Sequence, residues 1–376
     1  MGFDAAALPT FPWDLLEPYK RRAREHPGGL IDLSVGTPVD PTPEVLREAL
    51  RAAADAPGYP ATIGSPDLRE AIARHYATWR GAPGLPASGV LPTIGSKEMV
   101  AQLPSLLGLR SGDVVAHPSV AYPTYDVGAR LAGATPVPAN SPGEIPADLR
   151  GQVRLVWLNS PGNPDGRVAG PAELAAWVEW ARDAGAVVAS DECYAALAWE
   201  EPWVSAGVPS LLDPRVGDGS LANLLALYSL SKQSNAAGYR AAWLAGDPAL
   251  IARIAGLRKH MGMMMPAPVQ AAMVAALEDQ GHVAAQREAY GRRRRILMGA
   301  VREAGYQLEG SGAGLYLWFT TPERQDCWQT VADLAGLGIL VAPGAFYGEA
   351  GQAFVRMALT GSDRDVAEAA ARLAGA

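Results

Sequence analysis

Three observations predict an α/β fold: a mostly parallel sheet between two layers of helices, with a smaller α+β unit beside it. From Val90 onward, short apolar runs alternate with amphipathic stretches of helical length. Those runs are continuous in Val, Leu and Ala, as strands covered on both faces require. After residue 285 the order changes to a long helix followed by strand, helix, two strands and a helix, which reads as a second unit. A chain of 376 residues is long enough for both. The expected division is an N-terminal arm with part of the small unit over 1–45, a large domain over 46–285 and a C-terminal small domain over 286–376.

Taken in order, residues 1–30 hold Pro, aromatics and a short basic helix around Leu15 to Glu25, and read as an arm that needs a surface to lie against. Ile31 to Pro38 is a short strand ending in a Gly/Pro turn. Pro43 to Ala54 is predicted helical, with Thr42 as N-cap. Ser65-Pro66-Asp67 opens a helix to Trp79. Six strands then follow: Val90–Thr93, Asp113–His117, Arg154–Asn159, Ala186–Ser190, Leu224–Ser229 and Ala241–Ala245. Helices are expected from Gly95 to Leu107, Tyr122 to Ala132 and Pro171 to Ala184 between them, and from Pro248 to Met264, Pro266 to Ala276 and His282 to Ala304 after them. The last unit reads as strand Leu315–Phe319, helix Asp326–Leu334, strands Ile339–Ala342 and Ala353–Leu359, and helix Asp363–Leu373. No repeat or low-complexity linker separates the units, so they are expected to pack closely.

The bulk properties narrow the function. Net charge is −7 with no basic stripe, which argues against nucleic acid or an anionic membrane as partner. The one dense positive run, Arg292–Arg295, falls in a helix and reads as a solvated or ion-paired face. No apolar run reaches the roughly 18 residues of a membrane span. Met1 to Thr10 lacks the features of a signal peptide. Cys193 and Cys327 are isolated, which fits a reducing cytoplasm, and the five scattered histidines have no metal-ligand spacing. The Met261–Met265 cluster reads as adaptable packing.

One lysine stands out. Only four of the 32 basic residues are lysine: Lys20, Lys97, Lys232 and Lys259. Lys232 sits in a serine-lined turn between two apolar strands, where an ammonium is costly and its pKa falls. A desolvated lysine can lose its proton and attack a carbonyl to form a Schiff base, which arginine cannot do. The cofactor that uses such a linkage as an electron sink is pyridoxal phosphate, and it makes further demands. An acid must hold its pyridine nitrogen protonated; Asp191 stands at a strand end. Its phosphate needs a helix start with hydroxyl or cationic help, and Gly95-Ser96-Lys97, Ser229, Ser231 and Arg240 offer these. Its ring needs an aromatic face, Tyr122, and donors near its phenolic oxygen, Asn163 and Tyr194. In parallel sheets ligands bind beyond the carboxyl ends of the strands, where these residues cluster.

With these residues in place, the chain resembles the class I/II aminotransferases of the fold type I pyridoxal-phosphate enzymes, from about Ile31 to Leu373. Ser-Leu-Ser-Lys-x7-Arg at 229–240 is similar to the family's cofactor-lysine signature. Ser160 to Gly166 resembles its Asn-Pro-x-Asn-Pro-Thr-Gly loop, with Asp165 in place of threonine, and Asp191 and Tyr194 match an Asp-x-x-Tyr pair. The resemblance implies a seven-stranded sheet, Lys232 as catalytic base, Arg356 on the substrate α-carboxylate and Gly36 beside the substrate. It also implies a homodimer in which Tyr59 reaches the phosphate of the neighbouring subunit's cofactor. Within the family the pattern is most similar to the bacterial N-succinyldiaminopimelate aminotransferases of lysine biosynthesis. That implies cytoplasmic transfer of an amino group between glutamate and N-succinyl-2-amino-6-oxopimelate. Such acidic substrates call for a further cation, for which Arg258 and Lys259 are candidates by position. An aminotransferase for aspartate, alanine or aromatic amino acids, a carbon–sulfur β-lyase and a cofactor-binding regulatory domain remain open alternatives.

Overall fold

The computed structural model describes residues 8, 9 and 11–375. The signal-peptide expectation for Met1 to Thr10 therefore lies outside the described residues, apart from Leu8 and Pro9. The first described elements are a turn of 3-10 helix, Pro12–Leu16, and α1 (Glu17–Arg24). Strand β1 (Ile31–Asp32), α2 (Glu44–Ala52) and α3 (Pro66–Trp79) follow. Next come β2 (Val90–Ile94), α4 (Ser96–Leu106), β3 (Val114–His117), α5 (Thr124–Leu131), β4 (Thr135–Pro138) and β5 (Val153–Asn159). Then come α6 (Pro171–Ala184), β6 (Val187–Asp191), the single turn α7 (Trp203–Ala206), β7 (Leu224–Ser229) and β8 (Ala241–Gly246). Helices α8 (Pro248–His260), α9 (Ala267–Glu278) and α10 (Gly281–Glu303) lead to β9 (Gln307–Leu308), β10 (Tyr316–Thr320) and α11 (Cys327–Gly336). The last elements are β11 (Ile339–Leu340), β12 (Ala342–Pro343), β13 (Val355–Ala358) and α12 (Asp363–Ala374).

Seven strands form the large sheet in the order β2-β8-β7-β6-β5-β3-β4, and only β8 runs antiparallel to its neighbours. Each strand feeds both faces because successive side chains point opposite ways. On β7, Leu225 and Leu227 enter the core under α4, α5 and α8, while Leu224, Ala226 and Tyr228 enter the core under α3, α6 and α9. Parallel register brings Asn159 level with Asp191, and Asp191 level with Leu227, so the carboxyl ends of β5, β6 and β7 open onto one edge. A third core joins α1, α11, α12 and the later part of α10 to the antiparallel sheet β12-β13-β10-β9. Cys193, Tyr194 and Leu197, just beyond β6, pack into that core as well, which seats the small unit over the strand ends.

The structure corrects several expectations. Thr42 does not cap α2: Pro43 occupies that position, and the Thr42 hydroxyl instead donates to the Asn235 carbonyl at 2.9 Å. The seventh strand is β4, hidden in the sequence by Pro136 and Pro138; a sheet edge tolerates residues that cannot donate to a neighbour. Ile339–Ala342 is not one strand. Its first half pairs with β1 and its second with β13. Helix α8 ends at His260, so Met261 to Met264 lie in the following turn and only Met265 is buried in the core. In the arginine run it is the ion-paired reading that holds, not the solvated one, for the two buried members: Arg293 pairs with Asp40 and Asp363, and Arg294 with Glu200. Among the described residues no helix is long and apolar enough to cross a membrane.

Candidate active site

A cavity of about 540 Å³ lies between the strand ends and the small unit. Its walls include Ser96, Lys97, Tyr122, Asn163, Asp191, Tyr194, Ser229, Ser231, Lys232, Arg240, Gly36 and Arg356. Two further expected residues stand apart from that wall. Gly95 lies directly behind Arg240, while Tyr59 is 95% exposed and away from this cavity. Arg258 and Lys259 are also absent from it. Arg258 is fully buried and grips Glu98 with both terminal nitrogens, at 2.5 and 3.3 Å, and Lys259 is exposed.

Lys232 is held by the loop after β7. The Ser231 amide donates to the Ser229 hydroxyl, and the two hydroxyls are 2.7 Å apart, which closes the turn that aims the lysine inward. Its ammonium donates to the Gly36 carbonyl and has no carboxylate partner among the described residues. Burial lowers its pKa. Asp191 ends β6, is buried, accepts from the Tyr125 hydroxyl at 3.1 Å and has no cationic partner among the described residues. Burial raises its pKa, as for a carboxylate short of counter-charge. A protonated ring nitrogen would meet that need. Tyr125 in turn stacks on Trp157 at 5.1 Å, which fixes the acid from below.

Gly95 has φ +81°, and a Cβ there would collide with the Arg240 guanidinium, so only glycine lets that cation close on the start of α4. Helix N–H groups, Ser96, Ser229, Ser231, Lys97 and Arg240 thus converge as an anion cradle. Lys97 is exposed and lies over the Phe11 ring at 5.2 Å, and partial desolvation with the nearby Arg240 charge lowers its pKa. At the other end Arg356 is buried, donates to Asn163 Oδ1 at 2.8 Å and to the Ser34 carbonyl at 2.6 Å, and leaves its Nε without a partner. It makes no ion pair among the described residues, so a substrate carboxylate would be its counter-charge. Asn159 positions Asn163 by accepting its amide at 2.8 Å. A carbonyl-seeking lysine, an isolated buried acid, an anion cradle and a free guanidinium together fit pyridoxal phosphate and an amino acid.

Some residues of the cavity were not legible in the sequence. Phe11, Trp13, Leu16, Glu17 and Lys20 line it from the arm, and Tyr316 from β10. The arm is held there by aromatic contacts, Trp13 with Phe346 at 5.5 Å and Tyr19 with Trp328 at 5.5 Å. The only sequence signal was the density of aromatics in residues 1–30.

Comparisons with known proteins agree with this geometry. The family described as aminotransferase class I and II matches residues 29–373. The 4-dedimethylamino-4-oxo-anhydrotetracycline transaminase OxyQ of Streptomyces rimosus is 56% identical, over 97% of this chain and 99% of the relative. A probable aminotransferase of Mycobacterium tuberculosis is 51% identical, over 99% of this chain and 87% of the relative. Among solved structures, a probable N-succinyldiaminopimelate aminotransferase of Thermus thermophilus superposes with a TM-score of 0.85 at 30% identity, covering 96% of this chain and 99% of that one.

Proposed function

The chain belongs to the class I and II aminotransferases, which depend on pyridoxal phosphate, and from that premise we propose that it exchanges the amino group of glutamate with N-succinyl-2-amino-6-oxopimelate, in the formation of diaminopimelate and lysine. One observation carries the choice of an acidic substrate. Five cations line the cavity: Lys20, Lys97, Lys232, Arg240 and Arg356. Lys97 and Arg240 suit the phosphate, Lys232 the cofactor's carbonyl and Arg356 the α-carboxylate. Lys20 remains, on α1 at the mouth, 3.5 Å from Asp32. A remote substrate carboxylate would draw it from that loose pairing.

When bound, pyridoxal phosphate supplies the electron sink for the charge left at the substrate's α-carbon. The residues of the chain do the rest. Arg356 fixes the α-carboxylate by two parallel hydrogen bonds, which orients the α-proton toward Lys232. Burial favours the neutral Lys232 amine, which takes that proton and later returns it. Asp191 would hold a proton on the cofactor's ring nitrogen, and Tyr194 and Asn163 would supply donors to its phenolic oxygen. A homodimer completes the site, with Tyr59 directed to the neighbouring subunit's phosphate cradle.

A second reading is favoured by the arm. Phe11, Trp13 and Leu16 give the mouth an apolar wall, and the relative at 56% identity is named for a fused-ring ketone. The two readings separate on incubating the loaded enzyme with glutamate and a panel of acceptors. The panel holds the succinylated keto acid, the fused-ring ketone, pyruvate, oxaloacetate and an aromatic keto acid. The proposal expects the highest kcat/KM for the succinylated acid, reduced at least about tenfold by Lys20→Gln. Preference for the fused-ring ketone would select the second reading.

A further inference from the structure

We propose that Tyr316 is a positioning residue that commits Tyr194 to donating its hydrogen bond to the cofactor's phenolic oxygen. This rests on the reading of the cavity as a pyridoxal phosphate site. Tyr316 is buried on β10 and lines the cavity. Its ring lies over the Arg356 guanidinium, 3.9 Å from ring centre to carbon. Its hydroxyl is 3.1 Å from the Tyr194 hydroxyl. That same hydroxyl packs on the Cα of Gly36, where any Cβ would collide with it, and the Gly36 carbonyl receives the Lys232 ammonium.

Proton counting gives the role. A phenol has one proton and donates once, but it can also accept. In the contact between the two tyrosines, one must donate and the other accept. If Tyr194 donated to Tyr316, it would have nothing left for the cofactor. The surroundings decide the direction. The titratable and charged groups facing Tyr316 are Arg356, Lys232, Tyr194, Asp191, Tyr122, Tyr347 and, on α10, Tyr290. Burial raises the pKa of both phenols, but at Tyr316 the Arg356 and Lys232 charges, together with the hydrogen bond to Tyr194 itself, bring the pKa below the ordinary tyrosine value. Tyr194 stays well above that value. The geometry favours Tyr316 as donor: the Arg356 guanidinium sits 3.9 Å from the centre of its ring and polarises its phenol, whereas no cation lies over the Tyr194 ring among the described residues. Its hydrogen bond into the Tyr194 oxygen leaves the Tyr194 proton free and, through the chain of hydrogen bonds, makes it a stronger donor.

The test uses Tyr316→Phe, which removes the hydroxyl and keeps the ring on Arg356. The loaded enzyme is titrated with pH and its visible absorption followed, on material that melts as the wild type does. Losing the donor to Tyr194 weakens support for the cofactor's phenolate. The pKa read from the band should rise by about half a unit or more, while KM for glutamate stays within about twofold. Tyr194→Phe serves as the control and should raise it further. An unshifted Tyr316→Phe beside a shifted Tyr194→Phe overturns the proposal and leaves the cofactor site standing. A raised KM with an unshifted band also overturns it, because it marks Tyr316 as packing for Arg356 alone. If even the wild type gives no visible band with pyridoxal phosphate, the cofactor-site reading fails and the proposal with it.

Discussion

Lys232 and Arg356 are single residues whose surroundings contradict their chemistry; that contradiction made Lys232 visible in the sequence, while Arg356 entered through the family resemblance. A lysine among apolar strands and an arginine in Phe-Val-Arg-Met both lack local counter-charges, and the structure leaves both without carboxylate partners among the described residues. Lys232→Ala should lower the rate of the glutamate half-reaction about 10²–10⁴-fold, as loss of a positioned base does, measured by single-turnover absorbance. Arg356→Lys keeps the charge but loses the planar fork, so KM for glutamate should rise about tenfold or more in steady-state kinetics. A kcat effect with unchanged KM would place Arg356 elsewhere in the cycle. Tyr316 and Lys20 were not legible. One is among twelve tyrosines and the other heads an ordinary basic helix, and only the folded chain shows that both face the cavity.

At the scale of elements, the anion cradle depends on how α4 begins. Gly95→Ala would force a Cβ into the Arg240 guanidinium at a left-handed backbone position. The expected result is a cofactor dissociation constant raised about tenfold or more, read by fluorescence titration, together with a lowered melting temperature from the backbone strain. A second element-scale feature is purely structural. Arg80, just past α3, donates to Glu192, just past β6, at 2.8 Å with both side chains buried. Arg80→Met leaves that carboxylate buried beside only the Ser210 hydroxyl and the Leu211 amide, and should cost about 3–5 kcal/mol in urea unfolding. Strand–helix alternation was readable because each strand carries continuous apolar residues for two helical layers. The edge strand β4 was not, because Pro136 and Pro138 are breakers everywhere except at an edge. The Arg258–Glu98 pair was equally hidden: sequence position alone could not show that α8 turns that arginine toward α4.

For the whole molecule, three cores and one cleft follow from the order of elements, which is why fold class and cofactor were readable before any contact was known. Stability against acid is a property of the same scale. His75 is packed edge-on against Tyr76, Tyr228 and Trp243 with neither ring nitrogen hydrogen-bonded, and burial lowers its pKa to about 3. The unfolded chain takes up this proton near pH 6.5 and the folded chain does not. The linkage is therefore silent above that pH and destabilises progressively as pH falls toward 3, by about 2 kcal/mol at pH 5. His75→Phe should flatten the acid limb of a melting-temperature profile; an unchanged limb would assign acid sensitivity to other groups. The cofactor's anchor can be read directly by chemistry. Borohydride reduction of the enzyme loaded with pyridoxal phosphate, followed by peptide mass mapping, should place the cofactor's mass on the peptide containing Lys232. Label on Lys20, Lys97 or Lys259, or no label at all, would contradict the site described here.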